Sequence, residues 1–253
     1  MSTNNRLAIL FGCSEFHHED RELETLQGIE PDCARVTEFL VANRYTVIRV
    51  NIEASGTDVL KRVREAAMEL KQGKSGSFFF YAASHGEHVP GRASEDGQPK
   101  YLVMTRNGHF SMQDVARTFR EPFQEGAWKD ALSSVTMMTD TCDAGESMVM
   151  GAYDLQYQGL VAAVAPHEAW LFGSSVGMVA DAHPQTGGYF TTATIGVLRD
   201  VITGLGQGNN AIDNQGALRA AIVERMPQVA GAQAEPWVRC DKIEGWTRSA
   251  FHV

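Results

Sequence analysis

Cysteine is scarce: there are four in 253 residues (Cys13, Cys33, Cys142 and Cys240), at wide and unpatterned spacings. That excludes a disulfide framework as the basis of the fold and points to free thiols in a reducing compartment, with one of them open to a reactive role. Positive charge is also in deficit, with 22 Lys and Arg against 31 Asp and Glu and a net charge of -9. Lacking a block of basic residues, the chain has no general attraction for phosphate backbones or anionic lipid. Neither nucleic acid nor a membrane surface is therefore expected as a partner. Long apolar runs are missing too. Leu7 to Phe11, Phe78 to Ala83 and Leu160 to Ala165 fall far below the roughly 20 residues a membrane-spanning helix needs. The first of them is also too short for a secretory signal, so a cytoplasmic protein is expected.

What is present is an alternation of short apolar segments with longer amphipathic ones, unbroken by repeats or low-complexity tracts, and this is the pattern of an α/β fold. Strands are expected at Leu7 to Gly12, Tyr45 to Val50, Ser77 to Ala82, Tyr101 to Thr105, Ser134 to Met138, 159–164 and 168–173. Helices are expected at Asp32 to Ala42, Thr57 to Leu70, Ser111 to Arg120, 188–199 and 212–226, where apolar residues recur at helical spacing. Residues 84–100 are polar and Gly-rich and read as an exposed loop.

Two strand ends carry reactive residue types. One runs into Ser84-His85-Gly86-Glu87, the other into Asp140-Thr141-Cys142. In an open parallel sheet the carboxyl ends of neighbouring strands meet at one rim, the usual ligand crevice. His85 and Cys142 would meet there, and an imidazole beside a thiol makes a nucleophile suited to acyl transfer. The N–H groups of Gly86 and Cys142 would hold the oxyanion of a tetrahedral intermediate.

The segments FFFYAASHGE and VTMMTDTCDAGES resemble the two signature segments of the caspase-like cysteine peptidases, the clan of caspases, metacaspases and their prokaryotic relatives. LAILFGCSEFHHEDRELETLQGIEPDCARVTEFL is similar to the family's first strand and the helix that follows, and FGSSVGMVADAHPQTGGYFTTATI to the segment after the nucleophile. The resemblance implies a caspase-like sandwich over 1–253: a central, mostly parallel six-stranded sheet with helices on both faces. It makes His85 the proton carrier and Cys142 the nucleophile, with no cofactor required for the chemistry. It also places Asp140 in the S1 pocket, Asp32 as a second S1 carboxylate, and Ser174 at the border of S1 and S2 with Trp170 and Phe172 as apolar walls. Two carboxylates call for a cation, so protein or peptide substrates cut after Arg, with Lys second, are expected. By family analogy the setting would be stress, defence or cell-death signalling.

The chain departs from the family pattern in places. Pro31 stands where the family has Asn beside the S1 Asp, and no Lys or Arg occurs between Lys129 and Arg199. An Arg-specific enzyme cannot cut itself there. Residues 87–100, with Arg92 and Lys100, are the expected activation segment, and an activating protease is an expected partner. Calcium, on which several metacaspases depend, would draw oxygen ligands from Glu15, Glu19 and Asp20 or from Glu95 and Asp96. A zinc site at His17 and His18 is not expected, since consecutive residues do not converge on one ion. Plainer roles stand beside these: Asp140 as a cap of the 141–145 turn, Asp32 as N-cap of the helix from 33. The alternative functions are a catalytically inactive scaffold or regulator and a serine esterase using Ser175 within Gly173-Ser174-Ser175-Val176-Gly177.

Overall fold

Eight consecutive buried residues, GSFFFYAA, form a strand at the centre of the protein, flanked by parallel neighbours on either side. The structure is a computed structural model and describes residues 5–19, 22–51, 53–73, 76–90, 100–123, 132–142, 167–174, 182–208, 212–226, 236–240 and 242–252. The first half contains β1 (Arg6–Gly12), α1 (Ile29–Ala42), β2 (Thr46–Arg49), α2 (Gly56–Gln72), β3 (Gly76–Ala83), β4 (Gly86–Val89), β5 (Lys100–Thr105), β6 (Gly108–Ser111) and α3 (Met112–Arg120). Then come β7 (Leu132–Asp140), β8 (Glu168–Phe172), β9 (Ala182–His183), β10 (Gly187–Gly188), α4 (Tyr189–Gly206), α5 (Gln215–Arg225), β11 (Trp237–Cys240) and α6 (Ile243–Ala250).

The main sheet has the order β11-β8-β7-β3-β1-β2, and every pair is parallel except β11 against β8. Side chains of its strands alternate between two cores. Ile9, Phe11, Phe78, Phe80, Val135 and Met137 pack with Val59, Val63 and Leu70 of α2 and Phe119 of α3. On the opposite face Leu10, Phe79, Tyr81 and Met138 pack with Val36 and Phe39 of α1, with Leu198 of α4 and with Trp246 of α6. Helices on both faces follow from strands that are apolar at successive positions.

The local signals explain most boundaries. Helix α2 starts at a capping box in which Ser55 Oγ accepts from the Asp58 N–H and the Asp58 carboxylate accepts from the Ser55 N–H. Its buried residues Val59, Val63, Ala66, Ala67 and Leu70 keep helical spacing. Pro31 sits within the first turn of α1, where the missing N–H would have had no helical partner in any case.

The expected strand count is met with a different membership. Tyr101 to Thr105 lies outside the main sheet, in an antiparallel sheet β4-β5-β6, and β11 takes the sixth place. The expected exposed loop begins instead as strand: Glu87, His88 and Val89 pair with Leu102, Tyr101 and Lys100 and are half-buried. Main-chain pairing to β5 recruits these residues although their side chains show no strand pattern. The expected strand at 159–164 lies outside the described residues. Among the described residues, no helix is long and apolar enough to cross a membrane.

The last helix is tied to the far end of the sheet. The guanidinium of buried Arg6 donates to the carbonyls of Asn43 (2.8 Å) and Phe251 (3.0 Å). Tyr45 OH donates to the Ala250 carbonyl (2.8 Å), and Trp246 Nε1 to Thr136 Oγ1 (2.8 Å). Replacing Arg6 by Ala leaves two buried carbonyls without their charged donor. The expected loss is about 2–4 kcal/mol, read as a lower urea midpoint.

Candidate active site

Parallel register brings the strand ends into one row. Gly12 pairs with Ala83, Ala83 with Asp140, and the Gly173 N–H donates to the Thr139 carbonyl (2.8 Å). His85 and Cys142 each follow two residues after the Ala83 and Asp140 partners, so both leave adjacent strands on the same rim. Gly86 is packed so tightly there that a Cβ on it would overlap the Cys142 carbonyl oxygen and come within 2.8 Å of the Tyr101 hydroxyl. The segments 85–86 and 141–142 are therefore in direct contact.

His85 is half-buried, its ring 4.7 Å from that of Phe16, and its Nε2 lies 2.8 Å from the Glu24 carbonyl oxygen. A carbonyl only accepts, so Nε2 carries the proton and Nδ1 is left as the acceptor. Cys142 is half-buried, whereas Cys13, Cys33 and Cys240 are buried. Burial pushes the Cys13 thiol up to about 11 and the Cys33 thiol up to about 12, which removes both as nucleophiles near neutral pH.

Asp32 and Asp140 come from α1 and β7 and meet at the N-terminus of α4. Gly28 and Gly187, both with positive φ (97° and 86°), allow α1 to dock on the β9–β10 turn: a Cβ on Gly28 would lie 2.9 Å from the His183 carbonyl. Asp32 Oδ2 then accepts from the Gly188 N–H (2.6 Å), and Oδ1 from Arg35 (3.0 Å). Asp140 Oδ2 accepts from both the N–H (3.0 Å) and the hydroxyl (2.6 Å) of Thr191. Thr191 Oγ1, whose hydroxyl hydrogen is directed at Asp140, accepts from Tyr81 OH at 2.9 Å. The first turn of α4 carries no cap of its own at Gly188, and the two carboxylates stand at its positive end.

The plain role of Asp32 as an N-cap does not hold. Helix α1 begins after Gly28, and Asp32, already inside its first turn, accepts from the Gly188 N–H of β10 and the Arg35 side chain rather than from a main-chain N–H of its own helix. Asp140 is the last residue of β7 and its carboxylate caps α4, while residues 143–145 of the turn it was expected to cap lie outside the described residues. Ser174 is buried and donates to the Thr141 carbonyl (2.8 Å), joining the ends of β8 and β7. Trp170 and Phe172, expected as subsite walls, are buried in the core, where Phe172 stacks on Trp237.

Other expectations fall elsewhere. Arg92, Glu95, Asp96, Asp20 and Ser175 lie outside the described residues. Lys100 opens β5 opposite Val89, inside a strand pair and not a free loop. His17 Nε2 faces Arg106 (3.3 Å) and His18 Nε2 faces the Thr105 carbonyl (3.0 Å), and Glu15 is 3.7 Å from Arg106. Sequence reasoning overlooked the Glu24 carbonyl, which has no side-chain signature, and Arg35, whose i+3 spacing from Asp32 was a readable signal.

Burial holds the carboxyl of Asp140 above the usual range against the opposing Thr191 bonds, and burial followed by the Asp140 charge raises that of Asp32. A carboxyl raised on folding binds more protons in the native state. Its contribution to stability is present below about pH 4 and lost as pH rises through the native value. The melting temperature is expected to fall between about pH 5 and about pH 8, and to fall less in Asp140→Asn, which keeps an acceptor for Thr191 without the charge.

The fold and the rim define a class, the caspase-like α/β proteins. The caspase domain model matches residues 5–241, and the chain belongs to that family, a family of cysteine peptidases. Among solved structures, a Geobacter sulfurreducens protein is similar with a TM-score of 0.62 and 14% identity, over 93% of this chain and 92% of that one. Caspase-1 from Spodoptera frugiperda is similar with a TM-score of 0.61 and 14% identity, over 94% of this chain and 87% of its own. No curated protein sequence matches the chain.

Proposed function

We propose that this protein is a cysteine endopeptidase that cuts after basic residues, Arg before Lys, through Cys142 and His85. The observation that carries this reading is the convergence on one rim of a half-buried Cys, a His whose Nε2–H is held by a main-chain carbonyl, and two buried carboxylates. The Glu24 carbonyl orients the imidazole and favours its protonated form once Nδ1 takes a proton. The Cys142 thiolate adds to the scissile carbonyl, the N–H groups of Gly86 and Cys142 receive the oxyanion, and His85 hands its proton to the leaving amine. Water then hydrolyses the thioester, with His85 as base. No cofactor is asked for by this sequence of steps.

Asp140, with Asp32 behind it, supplies the negative charge for the P1 side chain. Ser174 supports that wall by holding Thr141. The absence of Lys and Arg between 129 and 199 means that such an enzyme works without cutting itself between β7 and β8. Cleavage at Arg92 by this or another protease is the activating event the sequence allows. The test is hydrolysis of fluorogenic peptides with Arg, Lys or Asp at P1, with and without calcium and before and after limited proteolysis. Arg cleavage supports the reading. Asp cleavage overturns the specificity, and silence under every condition favours an inactive scaffold.

A further inference from the structure

The two acidic side chains at the rim are not equivalent, because the chain supplies a cation of its own to one of them. Arg35, one turn beyond Asp32 on α1, places NH1 3.0 Å from Asp32 Oδ1 and NH2 2.7 Å from the Thr186 carbonyl. Its side chain is 24% exposed while that of Asp32 is 2% exposed, so the pair is shielded on the carboxylate side. Both oxygens of Asp32 are thereby engaged, Oδ1 by Arg35 and Oδ2 by the Gly188 N–H. On Asp140, Oδ2 is taken twice by Thr191. Oδ1 takes no hydrogen bond among the described residues and lies beside Gly173, where a Cβ would come within 3.0 Å of it.

We propose that Arg35 is a specificity-determining residue that cancels the charge of Asp32 and leaves Asp140 as the carboxylate that reads the P1 cation. The inference rests on the basic-P1 reading of this pocket. Once both are ionised, two carboxylates with one internal guanidinium carry a net charge of about -1, matched by one incoming Arg or Lys. The bond from Arg35 to Thr186 also clamps the turn that presents Gly187 and Gly188 to Asp32.

The titratable groups set against the acidic pair are Arg35 and Cys33 of α1 and Tyr81 of β3. From β10 and α4 come only N–H groups and the Thr191 hydroxyl. Tyr81 and Cys33 are neutral near pH 7, both pushed upward by burial, so Arg35 is the sole positive charge of this set. Without it the adjacent carboxylates would share a proton to a higher pH, since like charges in one buried site do not ionise together. Arg35 thus keeps the pocket ionised, and able to bind a cation, toward lower pH.

The test uses the Cys142→Ala chain, which binds ligands without turnover, and the monocation n-butylguanidinium as probe. Binding is measured by calorimetry at about pH 6 and about pH 8.5 with Arg35 intact, with Arg35→Gln, and with Arg35→Lys. Gln removes the charge but retains an N–H donor for Thr186, and Lys retains the charge, so the comparison separates electrostatics from the clamp. The ratio of Kd at the lower pH to Kd at the higher is expected to rise about tenfold in Arg35→Gln and to return to within about twofold in Arg35→Lys. An unchanged ratio in Arg35→Gln overturns the role of Arg35 alone. No binding at either pH with Arg35 intact overturns the basic-pocket reading, and the role of Arg35 with it.

Discussion

Replacing Cys142 by Ala is expected to lower turnover of a P1-Arg peptide by on the order of 10⁵-fold while leaving the fold in place. The thiol is half-buried at a strand end, so its removal opens no core cavity, and a stability change within about 1 kcal/mol is expected. His85→Ala should cost a similar factor. The double replacement should cost little more than either single one, because nucleophile and proton carrier act as a unit. The decisive comparison is with Cys13→Ala: Cys13 donates to the Glu15 carbonyl (3.2 Å) and burial disfavours its thiolate, so it should affect stability and not the chemistry. Activity that survives Cys142→Ala would return attention to Ser175.

Asp140→Asn is expected to reduce kcat/KM for P1-Arg peptides by roughly a hundredfold to a few thousandfold, or about 3–5 kcal/mol of lost charge pairing. Asn keeps an oxygen for the Thr191 N–H and hydroxyl, so α4 remains capped and the loss reports charge rather than collapse. Asp32→Asn should cost less on the same substrates, because both oxygens of Asp32 are already held within the protein. Equal losses at the two positions would mean that both carboxylates face the substrate. Gain of Asp cleavage in neither variant is expected, since removing a negative charge does not supply the guanidinium that an acidic P1 would require.

The site was legible in the sequence wherever it depends on residue type at a strand end. His85-Gly86 and Asp140-Thr141-Cys142 follow long apolar strands whose register needs nothing beyond parallel pairing. The central strands were legible for the same reason, as continuous apolar runs. β11 and α6 were not: WVRC and IEGWTRSA are short and carry Arg, and they are held by pairing to β8 and by the Trp246 bond to Thr136, more than a hundred residues away in the chain. β4 was read as loop because GEHV owes its strand to main-chain bonds with β5. The Asp32 and Asp140 partnership was legible only in part. The resemblance placed two carboxylates in one pocket and helical spacing placed a helix from 188, but the meeting of the carboxylates with Gly188 and Thr191 depends on two left-handed glycines and on the docking of that helix end, which no spacing in the sequence predicts.

The ties between the first strand and the last helix have a consequence for how the protein is made. Arg6 holds a carbonyl 245 residues downstream, and Tyr45 one 205 residues downstream. β1, synthesised first, occupies an interior place in the sheet, and β11, synthesised near the end, occupies an edge. A ribosome that has just released Cys142 from its exit tunnel has not yet supplied Gly188 or Thr191. His85 and Cys142 therefore exist for some seconds, at about 5–20 residues per second, before the acidic pair has its partners. For an enzyme of the proposed kind, competence to read a substrate would follow the emergence of the strand ends by that interval, which would delay any attack on neighbouring chains.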